Sequence, residues 1–231
     1  DTGYDVKLFG ATSGAYMLWD ESADDLKLVG AAGLTVAGDI DIDGTTNLDV
    51  VDVDGAVNFA ADVTFADGAD IITASAGTSN FRAGVNAGNS IASGGNYNVV
   101  VGDEAGTAIT TGDNNVAVGY QALDANTTGP SNTAVGEAAL GANTTGGNNT
   151  ALGKSAGEAT TTGSENTFIG SLSGDANTTG ANNTSLGYLS LSTASEADNN
   201  TAVGHGALYV NTTGANNVAV GASALLANTT G

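Results

Sequence analysis

The residues best suited to chemistry in this chain are three alternating aspartates in its first quarter. They are Asp39, Asp41 and Asp43. With the glycine that follows, they repeat the opening of a calcium-binding EF-hand loop. The twelfth position of that loop, normally a bidentate glutamate, is Val50 here. Isoleucines separate the aspartates, an alternation typical of a strand with one solvated face. We therefore favour a solvated acidic strand, and calcium binding stays open.

Residues for catalysis or for other metals are few. The sequence contains a single histidine, His205, and no cysteine. It therefore offers no Ser-His or Cys-His pair, no disulfide and no zinc ligand set. His205 occupies a variable, polar position of a repeat, which we expect to face solvent. Paired carboxylates for glycoside cleavage remain an open alternative, although no acidic groove is indicated. We predict that the chain is not an enzyme and uses no cofactor or metal.

Threonine pairs recur at regular intervals and suggest a different activity. They follow an asparagine and precede a glycine, as in Asn126-Thr127-Thr128-Gly129. Flat ladders of threonine on a β-solenoid bind ice in some proteins. Here each pair lies at a corner, where hydroxyl-to-backbone hydrogen bonds explain the threonines. Glu196 also interrupts the row. We favour the turn role and keep an ice-binding solenoid as an alternative.

These corners belong to a 17-residue repeat that runs from Asn98 to Gly231 without a slip. Each copy opens with an asparagine, a short β-type run and a glycine. The asparagines, at position 1, are Asn98, Asn115, Asn132, Asn149, Asn166, Asn183, Asn200 and Asn217. The glycines, at position 5, are Gly102, Gly119, Gly136, Gly153, Gly170, Gly187, Gly204 and Gly221. So short and constant a period predicts identical coils stacked into a rod.

The repeat positions predict how each coil is stabilised. The stacked position-1 amides can bond to one another along the rod at the ~4.8 Å spacing of neighbouring strands. Asparagine at position 1 and glycine at position 5 both tolerate the left-handed backbone of a corner. Position 4 is always aliphatic, and position 2, on the same face, is Val or Thr. Position 3, on the opposite face, is mostly alanine. We expect position 3 to face other subunits, which favours a parallel homotrimer over a lone solenoid.

Four segments are predicted along the chain, all of them β. Residues 1–29 form a small antiparallel module whose core contains Phe9, Tyr16 and Trp19. Residues 30–80 form an acidic shaft of short strands. Residues 81–97 form a degenerate capping coil offset by one residue, and residues 98–231 form a parallel β-roll of eight coils.

Composition excludes several partners. Four Lys and Arg against 25 Asp and Glu give a net charge of −21. Nucleic acid and anionic membranes would both be repelled by such a surface. The sequence contains no run of about 18 apolar residues, the length that predicts a transmembrane helix. We therefore expect no membrane insertion within this chain. The missing initial Met and the end at Gly231 lead us to expect a piece of a longer polypeptide.

The repeat resembles two groups of surface proteins. Asn149-Thr150-Ala151-Leu152-Gly153 and Asn200-Thr201-Ala202-Val203-Gly204 are similar to the head repeats of trimeric autotransporter adhesins, which are left-handed parallel β-rolls. Together with the Asn-Thr-Thr-Gly corner, they are still more similar to arrays in bacteriophage tail fibres. The resemblance covers about residues 98–231. Residues 16–26 and 38–44 are also similar to shaft modules of marine phage fibres.

The resemblance implies a structural and adhesive role. We expect a segment of a trimeric virion fibre that displays a repetitive surface for host attachment. Its partners would be itself, other virion proteins and a host receptor of unknown type, and its location would be the virion surface. The alternative is the head of a bacterial autotransporter-like adhesin, located on the outer surface of the cell and partnered by other cell-surface proteins.

Overall fold

The structure is a computed structural model that describes residues 6–9, 16–20, 25–29 and 76–230. These residues form strands and turns, and no helix occurs among them. The chain divides into two compact units, Asp1–Thr64 and Phe65–Gly231. Most of the predicted acidic shaft lies outside the described residues, and so do Asp39, Asp41 and Asp43.

The first unit contains a three-stranded antiparallel sheet. Its strands are β1 (Val6–Phe9), β2 (Tyr16–Asp20) and β3 (Asp25–Val29), with β2 in the centre. Val6 pairs with Trp19 and Phe9 with Tyr16, so the first connection is a hairpin. The antiparallel strands match the prediction from the alternating sequence.

The prediction that Trp19 lies in the core of this module is wrong. Its side chain is 44% exposed, and Met17 on the same strand is 37% exposed. Tyr16 is half-buried, and the side chain of Phe9 lies outside the description. Nothing in the described part of this unit forms a second layer over Trp19. A single layer of three short strands leaves a face uncovered unless something else packs on it.

The second unit is a parallel β-solenoid with a nine-stranded sheet along one side. Its strands are β4 (Phe81–Ala83), β5 (Val99–Val101), β6 (Val116–Val118), β7 (Thr133–Val135), β8 (Thr150–Leu152), β9 (Thr167–Ile169), β10 (Thr184–Leu186), β11 (Thr201–Val203) and β12 (Val218–Val220). From β5 onward each residue pairs with the residue 17 positions further on, as Val99 does with Val116. The predicted all-β solenoid of about eight coils of about 17 residues is confirmed.

The first coil follows a slightly different register. Phe81 pairs with Val99, a step of 18 residues rather than 17. The extra residue corresponds to the one-residue offset of this segment in the sequence. β4 nevertheless joins the same parallel sheet as the repeats.

The prediction that position 3 faces other subunits is wrong. Every position-3 side chain from Val100 to Ala219 is buried inside its own coil, at most 2% exposed, so this face does not point to another subunit. Position 8 is buried beside it as Ala or Ser in the first seven coils. A coil of 17 residues is narrow, and small side chains on facing walls are what its interior can hold. The larger Val, Leu and Ile of position 4 therefore lie outside.

The interior volume is balanced between positions 3 and 9. Where position 3 is Ala or Ser, position 9 is usually a leucine, as in Leu123, which is fully buried. Phe168 occupies position 3 of the fifth coil, and the position-9 residues next to it are Gly157 and Gly174. A Cβ at Gly174 would lie 2.4 Å from the Phe168 ring, and one at Gly157 would lie 2.6 Å from it. These glycines give the ring its space.

The described residues include no helix long and apolar enough to span a membrane.

Candidate functional site

The outer face of strands β5–β12 is an uncharged stripe along the solenoid. It consists of positions 2 and 4 of the repeat, and we call it the apolar stripe. Position 2 contributes Val99, Val116, Thr133, Thr150, Thr167, Thr184, Thr201 and Val218. Position 4 contributes Val101, Val118, Val135, Leu152, Ile169, Leu186, Val203 and Val220. Leu152 is 48% exposed and Leu186 44% exposed, although each has neighbours stacked above and below it. The stripe therefore consists of one unbroken aliphatic row beside a row of valines and threonines, and an exposed uncharged surface with such an apolar row is typical of a contact site.

The predicted position-1 asparagines form a buried column inside the solenoid. From Asn115 to Asn217, each backbone N–H donates to the Oδ1 of the asparagine one coil earlier, at 2.8–3.0 Å. From Asn98 to Asn200, each Nδ2 donates to the position-15 carbonyl of its own coil. Direct amide-to-amide bonds also occur, as between Asn166 and Asn149 at 3.1 Å. We call this set the position-1 column, and it satisfies backbone groups at two corners of every coil.

The position-5 glycines lie where the strand turns into the next side of the coil. Their φ angles fall between +127° and +138°, a region that side chains rarely adopt. A Cβ at Gly153 would lie 2.6 Å from the Gly170 carbonyl carbon of the next coil. The left-handed asparagine, however, is at position 17 rather than position 1, as in Asn148 with φ +59°. The expectation of a left-handed position 1 is wrong: none of these asparagines has a positive φ, because position 1 leads directly into the extended strand of positions 2–4.

A second buried asparagine column was not predicted, although its signal was present in the Asn-Thr-Thr-Gly corners. It runs along position 12 and is formed by Asn126, Asn143, Asn177, Asn211 and Asn228. The first four are fully buried, and each Nδ2 donates to the position-15 carbonyl three residues ahead. Asn143 also donates to Asn126 Oδ1 at 3.0 Å. This position-12 column is interrupted by Ile109, Thr160 and Ala194.

The interruptions leave buried acceptors without partners. Asn143 Oδ1 faces a coil whose position 12 is Thr160, and Asn177 Oδ1 faces one whose position 12 is Ala194. Neither oxygen has a hydrogen-bond donor, and Thr160 Oγ1 has no partner either. Where two asparagines follow one another, as in Asn211 and Asn228, the bond forms at 3.2 Å.

The first threonine of each corner has a structural hydrogen bond. Thr127 Oγ1 donates to the Thr144 carbonyl one coil further on at 3.0 Å. The same bond recurs at Thr110, Thr144, Thr161, Thr178 and Thr212. The second threonine, as in Thr128, is exposed. The corners therefore present one row of exposed threonine side chains to solvent rather than two, and Glu196 interrupts that row.

His205 lies on an exposed edge formed by position 6. The residues of this edge, which we call the variable edge, are Asp103, Tyr120, Glu137, Lys154, Ser171, Tyr188, His205 and Ala222. The His205 ring lies 5.6 Å from the Tyr188 ring between centroids. Lys154 Nζ and Glu137 Oε1 are 3.0 Å apart, with both side chains more than half exposed. Neighbours along this edge therefore interact, but no two coils present the same pair.

Half-buried carboxylates lie near this edge at position 10. Burial raises the pKa of Asp124, and Glu104 raises it further. Burial likewise raises the pKa of Asp175, with Glu158 adding to the effect. Ser192 Oγ donates to Asp175 Oδ1 at 2.5 Å, which lowers the pKa in opposition to burial. The charge of Glu104 is also the main cause that raises the pKa of Tyr120.

No group of three or more acidic or histidine side chains that could hold a metal ion occurs in the described part of the chain. The candidate calcium ligands near residue 40 lie outside that part. The described surface therefore offers a long uncharged stripe, a variable edge and a row of threonines as contact sites. No protein-family model, curated protein or solved structure matches this chain.

Proposed function

We propose that this chain is a structural and adhesive segment of a homotrimeric virion fibre, such as a phage tail fibre. The observation that carries the proposal is the apolar stripe, which continues over β5–β12 without a charged residue on a chain of net charge −21. The resemblance of the repeats to phage fibre arrays supports the same assignment. The solenoid supplies stiffness, because each coil is bonded to its neighbours by backbone and asparagine side chains.

The stripe is suited to identical copies of the chain. Two copies that approach through any acidic face repel each other, because both carry the same excess of carboxylates. The stripe is free of charge, with Val or Thr at position 2 and Val, Leu or Ile at position 4 of every coil. Parallel copies in register can therefore pack Val, Leu and Ile against one another along the whole rod. Burial of such side chains contributes roughly 25 cal/mol per Å².

The variable edge is the surface proposed for host attachment. Its backbone repeats, while its side chains change from Asp103 and Tyr120 to Lys154 and His205. A change of side chain there leaves the buried columns untouched, so the contacts presented to a receptor can differ while the rod is retained. Three chains would present each contact three times, and multivalency multiplies a modest affinity.

Native mass in solution tests the assembly. Light scattering behind size exclusion at moderate salt is expected to give three times 22.3 kDa. Leu152→Asp places a charge in the stripe and is expected to shift the mass toward the monomer. Lys154→Asp, two residues away on the variable edge, is the matched control and should leave the mass unchanged. A monomeric wild-type chain would overturn the proposed assembly.

Antibody labelling distinguishes a virion fibre from the alternative, a bacterial surface adhesin. Antibodies against the chain, applied to purified virions and to intact bacteria, are expected to label fibres on the virion in electron micrographs. Labelling of the bacterial outer surface alone would contradict the virion assignment and favour an autotransporter-like adhesin.

A further inference from the structure

We propose that one corner of the sixth coil is a built-in opening point of the solenoid, at which the rod loosens locally while its strands stay paired. The sixth coil comprises residues 183–199, and its corner is Ala194-Ser195-Glu196-Ala197 in place of Asn-Thr-Thr-Gly. The inference does not rest on the proposed function, because it concerns hydrogen bonds and packing within one chain.

The hydrogen bonds that join successive corners are missing between this corner and that of the seventh coil. At every other junction between the eight coils, the position-13 carbonyl accepts the backbone N–H groups of positions 13 and 14 of the preceding coil. Thr178, for example, accepts from the Thr161 N–H at 2.8 Å and from Thr161 Oγ1 at 3.0 Å. Within the described residues, neither Ser195 nor Glu196 makes such a bond to the Thr212 carbonyl.

Two further recurring bonds are missing on the same side of this coil. In every other coil the position-12 N–H donates to the position-9 carbonyl, and at every other junction the position-11 N–H donates to the position-10 carbonyl of the next coil. In the described part of the chain, Ala194 makes no such bond to Leu191, and Ala176 makes none to Ser192. The buried Asn177 Oδ1, which has no donor, faces the same corner.

The methyl group of Ala197 explains the missing bonds to the seventh coil. Position 15 is glycine in every other coil. A Cβ at Gly163 or Gly180 would lie 2.4 Å from the position-15 carbonyl oxygen of the next coil, and only glycine permits backbones to approach so closely. At the same spacing, the Ala197 methyl group would strike the Gly214 carbonyl. The two corners are therefore held apart, and their backbone bonds do not form.

The strand side of the same junction keeps its bonds. β10 and β11 pair over all three residues, as Ser185 does with Ala202. The Asn200 N–H donates to Asn183 Oδ1 at 3.0 Å, so the position-1 column also continues through this coil. Opening of the corner therefore leaves one side of the coil bonded, and the coil acts as a hinge rather than as a break in the rod.

The buried apolar core is divided at the same place. One apolar cluster ends at Phe168, and another begins at Leu191. Between them, the hydroxyl oxygens of three buried serines, Ser173, Ser185 and Ser190, lie 2.6–3.3 Å from one another. Packing between neighbouring coils couples their stabilities, so a gap in the apolar core lets this corner open without unfolding the coils on either side.

Limited proteolysis of the full chain with a glutamate-specific protease tests the opening point. Glu196 lies in the proposed opening, whereas Glu165 is an equally accessible site, exposed at a fully bonded corner of the fourth coil. Cleavage after Glu196 is expected to be at least about tenfold faster than cleavage after Glu165, because the protease needs a locally opened chain. Fragment masses identify the two sites. Equal rates, or faster cleavage after Glu165, would overturn the proposal.

Two substitutions at position 15 separate opening from the sequence preference of the protease. Ala197→Gly removes the methyl group and is expected to slow cleavage after Glu196 several-fold, although glycine normally loosens a corner. Gly163→Ala introduces a methyl group in the fourth coil and is expected to speed cleavage after Glu165 several-fold. Ala215→Gly, at an exposed alanine of the seventh coil, is the control and should leave both rates unchanged. Unchanged rates in both position-15 variants would contradict the proposed cause and, with it, the opening point.

Hydrogen exchange followed by mass spectrometry measures the opening without a substitution. Peptides covering residues 192–198 are expected to exchange at least about tenfold faster than peptides covering residues 158–164, while the amides of β10 and β11 stay protected. Equal protection of the two corners, or loss of protection in the strands as well, would contradict a hinge at this corner. These results are read within one chain. A monomeric mass would therefore overturn the proposed trimer and leave this inference standing, and an unopened corner in a trimer would do the reverse.

Discussion

The two asparagine columns inside the solenoid have the same residue type and burial but differ in continuity. The position-1 column has an asparagine in every coil from Asn98 to Asn217, whereas the position-12 column is replaced by Ile109, Thr160 and Ala194. Their hydrogen bonds explain the difference. In the position-1 column each Oδ1 accepts a backbone N–H of the next coil, as Asn149 does from Asn166 at 3.0 Å. In the position-12 column Oδ1 accepts only another side chain.

The two columns also share an acceptor. The Gly146 carbonyl accepts from Asn132 in one column and from Asn143 in the other. Without the second donor, that carbonyl is still satisfied by the first. In each coil the position-1 asparagine is therefore the acceptor of a backbone N–H that has no other partner. The position-12 asparagine only adds a second bond to a carbonyl that already accepts one. Leaving a buried backbone group unsatisfied costs about 1–3 kcal/mol, whereas one ordinary hydrogen bond contributes about 0.5–1.5 kcal/mol net.

Removing one member of the position-1 column is expected to give the largest effect. Asn149→Ala removes the acceptor of the Asn166 N–H and the donor to the Gly163 carbonyl. Position 12 of that coil is Thr160, which supplies no second donor to the carbonyl. We expect a loss of roughly 2–6 kcal/mol of unfolding free energy. The midpoint of guanidinium unfolding, followed by far-UV circular dichroism, measures it.

The matched variant in the other column is Asn143→Ala. It removes the bonds to Asn126 Oδ1 and to the Gly146 carbonyl, but the carbonyl keeps its bond from Asn132. It replaces the orphaned Oδ1 of Asn143 with an orphaned Oδ1 of Asn126, which loses its donor. A loss of about 1 kcal/mol is expected. Equal losses for the two alanine variants would contradict the distinction between the columns.

Repairing the position-12 column is expected to give an intermediate effect of opposite sign. Thr160→Asn, a change between side chains of similar size, supplies an Nδ2 donor to Asn143 Oδ1 and removes the unpartnered Thr160 hydroxyl. We expect a gain of about 1–2 kcal/mol in the same unfolding measurement. Thr162→Asn changes an exposed threonine of the same corner and serves as control. A loss of stability in Thr160→Asn would show that packing, rather than hydrogen bonding, determines the residue at position 12.

The period, the strands and the turns of this fold could be predicted from the sequence, because each coil repeats the same local pattern. Position-5 glycine with φ near +130° and strand residues at positions 2–4 are local features that every copy specifies again. Which face of each strand points into the coil could not be predicted in the same way. Alternation along a strand separates position 3 from positions 2 and 4, but it does not say which set is inside.

Side-chain volume held the information that the alternation lacked. Gly157 and Gly174 adjoin Phe168, and Gly106 accompanies Val100, so position 9 compensates for position 3. Only side chains that share one interior need such compensation, and this pairing identifies position 3 as internal. The candidate contact sites follow from that assignment. With position 3 inside, the stripe of positions 2 and 4 becomes the exposed apolar surface.

The smallest change in stability is expected from a change of pH. It reports on the half-buried carboxylates near the variable edge and not on the two asparagine columns. Buried amides do not titrate, whereas burial raises the pKa of Asp124 and Asp175 above the ordinary value. A raised pKa means that the folded chain binds protons more readily than the unfolded chain. Stability from this source is complete below the unfolded pKa, near about 3.9, and is lost as the pH rises through the raised value. The unfolding midpoint should therefore increase as the pH falls from 7 toward 4.

Asp124→Asn is expected to reduce that increase, because it removes one of the described carboxyl groups whose pKa is raised. Asp103→Asn removes an equal charge from the exposed edge and is the matched control for the general effect of the −21 charge. The difference between the two slopes, measured at about 0.15 M salt where distant charges are screened, is the contribution of burial and of the neighbouring Glu104 to the pKa of Asp124. Identical slopes would mean that net charge alone sets the pH dependence. A steeper slope for Asp124→Asn would mean that folding lowers the pKa of this carboxyl instead of raising it.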